Sequence, residues 1–159
     1  MPIYQIQGGG YTTWFSGKKT GVPTGTSSPR GTASETGAST QFGTINRPNS
    51  SSASAIIHCT WQHDSGYVAK HEIHYITMTA YSTWSGKDNE GVEHRGGQLS
   101  NNSTHDTMHD SSITCTANGT TNWQFFCQTG GQGNGVPSTA TLCYNIKLMS
   151  SFIPTWTVV

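Results

Sequence analysis

The stretch KHEIHYITMTAY, residues 70–81, decides the fold, because it reads in two incompatible ways. As a helix it would stack His71 and His74 on one face, where they could share a metal ion; as a strand it sends them to opposite sides of a sheet. The neighbours settle the choice. Tyr75, Ile76, Thr77, Thr79 and Tyr81 are β-branched or aromatic, the residue types that suit a pleated, half-buried surface. The strand places His71 with Ile73 and Tyr75, and Glu72 with His74 and Ile76. Its two histidines cannot chelate by themselves, and the spacing is not that of the HExxH metalloprotease motif.

The same period of two extends outward. In ATLCYNIKLM (140–149), Ala140, Leu142, Tyr144, Ile146 and Leu148 share one face, and Thr141, Cys143, Asn145 and Lys147 the other. In ASAIIHCTWQ (53–62), Ala55, Ile57, Cys59 and Trp61 alternate with Ile56, His58, Thr60 and Gln62. Further strands are expected at IYQIQ and YTTWF near the start, then at SITCTA, NWQFFCQ and TWTVV. Nowhere do apolar residues recur at helical spacing over ten positions. Asn118-Gly119 is the strongest hairpin signal, and Asp64-Ser65-Gly66 reads as the turn between the two central strands. These features predict an all-β fold, an antiparallel β-sandwich, with Trp61, Trp123 and Phe125 in its core.

Composition narrows the partners. The 159 residues carry 8 Lys+Arg and 8 Asp+Glu, a formal net charge of zero. A nucleic-acid binder needs a basic face to neutralise phosphates, and none is written here. No apolar run approaches the roughly 20 residues that span a bilayer as a helix, so membrane insertion is not expected. The N-terminal MPIYQIQGGG lacks the charged and apolar regions of a signal peptide, which suggests synthesis in a cytosol, with a trimmed secreted protein as the alternative. Cys59, Cys115, Cys127 and Cys143 form no CxxC pair. They are expected to be reduced thiols in the core, with disulfides as the alternative.

Three segments read as loops. Residues 17–52, rich in Ser, Thr, Gly and Pro, suggest an extended N-terminal arm that orders on a partner. The expected division is therefore 1–52, N-terminal strands and attachment arm, and 53–159, the β-sandwich. Trp14, Phe15, Val22, Phe42 and Ile45 are the arm's candidate interface anchors. Residues 85–106, which hold half of the acidic side chains, and residues 131–140 are the other two loops. Trp84, at the mouth of the acidic loop, is the candidate glycan contact. His105 and His109 share a face on either a strand or a helix and are the candidate metal ligands. No cofactor is expected. There is no GxSxG elbow, no phosphate loop after Gly8-Gly9-Gly10, and no carboxylate pair singled out from Glu90, Glu93, Asp106 and Asp110. The reading is a protein that is not an enzyme.

The region from residue 52 to residue 150, through SASAIIHCTWQHDSGYVAKHEIHYITMTAY, TNWQFFCQ and TATLCYNIKLMS, resembles bacteriophage virion surface proteins. It is similar to head-decoration proteins, head fibres and tail-fibre tips with a jelly roll like the tumour necrosis factor domain. The likeness is architectural and carries no catalytic residues. It implies a structural protein on the outer surface of a virion, made in the host cytoplasm and assembled as a homotrimer on a major capsid or other virion protein. The second reading is a carbohydrate-binding module or a lectin-like host-recognition tip of a fibre.

Overall fold

The structure is a computed structural model that describes residues 3–6, 9–24, 37–63, 69–82, 88–102, 111–119, 121–130 and 139–159. Its strands are β1 (Ile3–Ile6), β2 (Gly10–Pro23), β3 (Thr40–Asn46), β4 (Ser51–His63) and β5 (Ala69–Ser82), followed by β6 (Asp88–Asn102), β7 (Ser112–Asn118), β8 (Asn122–Gln128), β9 (Thr139–Ser150) and β10 (Trp156–Val158). One sheet runs β1-β2-β9-β4-β5-β6 and the other β10-β3-β8-β7. Every pairing of named strands is antiparallel, and the two inner faces close on one core. The fold is an all-β antiparallel sandwich.

The period-two pattern of the sequence is what builds it. Ala140, Leu142, Tyr144, Ile146 and Leu148 of β9 all face inward, as do Ala55, Ile57, Cys59 and Trp61 of β4. Trp61, Trp123 and Phe125 are fully buried. Each such side chain contributes on the order of 1.5–3 kcal/mol through burial. β7 and β8 form the expected hairpin, with Gly119 at φ 55°, a left-handed conformation that glycine adopts without a Cβ penalty. β4 and β5 pair from Gln62↔Ala69 outward, so they are joined as expected, although residues 64–66 lie outside the described residues.

The jelly-roll expectation is met by the outermost pairings only. β2 pairs β9, and β3 pairs β8 in the facing sheet, which is the nested order of that fold. Instead of crossing between sheets, β4, β5 and β6 then continue as a meander within one sheet.

Four expectations are corrected. The described parts of residues 17–52 are not a detached arm: β2 continues through Pro23, and β3 supplies residues 40–46 to the second sheet, while residues 25–36 lie outside the described residues. The boundary at residue 52 therefore cuts through the sandwich, and trimming 1–52 would remove three strands. Phe15, Val22, Phe42 and Ile45 are buried in the core and are not free as attachment anchors; Trp14 alone of that set is exposed. The β3 signal was broken by a bulge. Between Gln41 and Gly43 the register shifts, and the consecutive residues Phe42 and Gly43 are both buried. Residues 85–106 likewise contain a strand, β6, paired along β5. Its sequence is polar because an edge strand is held by its backbone ladder on one side and needs no apolar alternation. Cys59, Cys115 and Cys127 are buried and in no disulfide, whereas Cys143 stands on the exposed face opposite Tyr144.

Trp156 of β10 closes one end of the core. Its ring lies 5.2–5.9 Å from those of Phe15, Phe42, Phe125 and Tyr144, and it sits directly over Gly43, where a side chain would overlap it.

Candidate functional site

Two places concentrate chemistry, one inside the sandwich and one on its surface. The inner one grows from the β4–β5 ladder, which sets Cys59 opposite Glu72 and Ile57 opposite His74. Because positions 59, 61, 72 and 74 all face inward, a carboxylate, an imidazole, a thiol and an indole meet in the interior. Glu72 is 3% exposed and His74 2%. Glu72 Oε2 accepts a hydrogen bond from Trp61 Nε1 at 2.9 Å, lies 3.1 Å from His74 Nε2, and has Cys59 Sγ at 3.9 Å. Its other oxygen accepts from Ser111 Oγ, just ahead of β7 in the facing sheet. Burying a carboxylate costs several kcal/mol unless donors surround it, and here they do. The cluster also ties one sheet to the other.

The remaining buried thiols are chemically quiet. Loss of solvent pushes both Cys115 and Cys127 up to about 12, with Lys19 opposing the shift at Cys127. Their thiolates are not accessible at neutral pH.

The outer place is the solvent face of the six-stranded sheet. Register aligns Trp14 (β2), Lys147 (β9), Ile56 (β4) and Tyr75 (β5) in one row across four strands. Trp14 is 40% exposed and Tyr75 50%, and Lys147 Nζ lies 5.5 Å from the centre of the Trp14 ring. Open grooves lie on either side. One, of about 530 Å³, is lined by Tyr11, Ser54, Thr77, Thr79 and Met149. The other, of about 290 Å³, is lined by His58, Thr60, His71, Cys143 and Asn145. An aromatic ridge therefore stands between two troughs.

The HEIH motif thus divides as its strand reading requires: His71 is exposed at one trough, and His74 is buried beside Glu72. The sequence-derived metal candidates His105 and His109, and the glycan candidate Trp84, lie outside the described residues. The buried cluster went unread because only one of its pairings is local. Glu72-x-His74 on a strand shares a face, which was legible. Cys59, Trp61 and Ser111 reach it only through strand register and sheet packing.

No family model matches the chain, and no curated protein matches it. Among solved structures it is similar to the tailspike protein of Acinetobacter baumannii phage AM24, at 10% sequence identity and a TM-score of 0.47. The match covers 89% of this chain and 26% of that one, so the chain spans about a quarter of the tailspike's length.

Proposed function

We propose that the protein is a non-enzymatic structural component of a bacteriophage virion surface, a decoration or fibre protein, and that it associates through the outer face of its six-stranded sheet. The observation that carries this reading is the row Trp14–Lys147–Ile56–Tyr75. Two large aromatic side chains and an aliphatic one stand in line on a wide, otherwise hydroxyl-rich sheet. Aromatic anchors at the centre of a flat patch with a polar rim have the composition of a protein interface. Low net charge suits repeated static packing, and the architectural resemblance of residues 52–150 supplies the virion setting. A homotrimer resting on a capsid or neighbouring virion protein is the assembly that resemblance implies.

Light scattering of the purified chain tests this. A trimer that becomes a monomer in the Trp14→Ser/Tyr75→Ser protein, with unchanged far-ultraviolet circular dichroism, is the expected result. A wild-type monomer at every concentration would overturn it. The second reading, a glycan-binding host-recognition module, draws on the same row, since an exposed Trp bordered by Ser, Thr and Asn also suits a sugar ring. It requires Trp14→Ser to abolish binding on a glycan array while leaving the native mass unchanged.

A further inference from the structure

We infer that Cys59, Glu72 and His74 form a buried site for a zinc-class divalent cation. One ligand atom from each of the three lies within 4.8 Å of the others. Neighbouring ligands on a tetrahedral zinc stand roughly 3.3–3.6 Å apart, as its bond lengths of about 2.0–2.3 Å require. The separations of 3.1 Å from Glu72 Oε2 to His74 Nε2 and 3.9 Å to Cys59 Sγ bracket that range. The donor set is one thiolate, one imidazole and one carboxylate, a borderline mixture that suits zinc and excludes the all-oxygen preference of magnesium and calcium.

Two further features fit an ion better than a hydrogen-bonded cluster alone. A sulfur 3.9 Å from a carboxylate oxygen is at the outer limit of a thiol hydrogen bond, and a closure of about 0.3 Å brings it to the spacing of two ligands on one zinc. The outer contacts are in place as well. Trp61 Nε1 and Ser111 Oγ each donate to Glu72 and fix the carboxylate's orientation, the service that supporting hydrogen bonds give to metal ligands. On binding, the Cys59 thiol gives its proton to solvent and His74 binds through a ring nitrogen. The site stitches β4 and β5 together beneath the facing sheet. It stands independently of the virion reading.

The test uses the full chain carrying Cys143→Ser, which removes the exposed competing thiol. After dialysis against a chelator, the protein is titrated with Co²⁺ and then with Zn²⁺. One equivalent of Co²⁺ with a thiolate charge-transfer band is expected, displaced by Zn²⁺ and lost in Cys59→Ser. Trp61→Phe, a change in a positioning residue, is expected to weaken binding about 10- to 100-fold without removing the band. Melting of the unsubstituted chain supplies a readout that needs no variant: Zn²⁺ raises the midpoint over that in chelator. An unchanged midpoint, no uptake at one equivalent, or a band that survives Cys59→Ser would overturn the site.

Discussion

Cys59 and Glu72 face each other across the β4–β5 ladder, with the thiol sulfur 3.9 Å from the carboxylate and both side chains sealed from solvent. Glu72 is therefore a structural residue first. Replacing it with Ala strips the Trp61 N–H of its acceptor in the interior, and a loss of about 2–5 kcal/mol is expected. Glu72→Gln keeps one acceptor oxygen and should cost less. Urea denaturation of both variants checks this, and equal losses would mean the carboxylate is not what holds the cluster.

Gly43 and Trp156 set a second stability prediction. A Cβ at position 43 overlaps an indole that is already packed against four aromatic rings. Gly43→Ala should therefore destabilise the sandwich by about 1–3 kcal/mol, as overpacking does, through loss of β10. Combining it with Trp156→Leu should cost less than the sum of the two single changes in a thermal-melt cycle.

Alkaline pH should unfold the protein through its buried thiols. Cys115 is held up to about 12 in the fold, against an ordinary value of 9.0 once unfolded. The unfolded chain therefore releases this proton first. The contribution is intact below pH 9 and is lost between 9 and 12, at up to about 1.4 kcal/mol per pH unit. Cys127 adds a parallel term over the same window. Denaturation midpoints across that range should fall more gently in Cys115→Ala than in the unchanged chain.

On the outer face, Trp14→Ser and Tyr75→Ser should leave the stability of the single chain within about 0.5 kcal/mol, because both residues stand on the surface about half exposed. Their effect should appear in native mass.

Cys143 reports on the same face, since it lies in the trough with His58 and His71. A thiol reagent should modify it quickly in the dissociated Trp14→Ser/Tyr75→Ser protein and several-fold more slowly in the assembled wild type. Equal rates would place the association surface elsewhere.

The sequence by itself determined the all-β class and much of the core. Side-chain direction in a strand alternates with a period of two whatever the strand pairs with, so the inward sets of β4 and β9 were legible before any partner was known. It also separated His71 from His74. Other features depended on tertiary structure. β3 hides in a polar, glycine-containing segment because a bulge breaks its alternation, and β6 because its backbone ladder holds it without an apolar face. Burial of Phe15, Val22, Phe42 and Ile45 could not be told from interfacial exposure, since an apolar side chain reads the same in a core and at a partner's surface. The Cys59–Glu72–His74 cluster and the Trp14–Lys147–Ile56–Tyr75 row both rest on register. Local sequence fixes which face a residue occupies; only the pairing of distant strands decides what stands beside it.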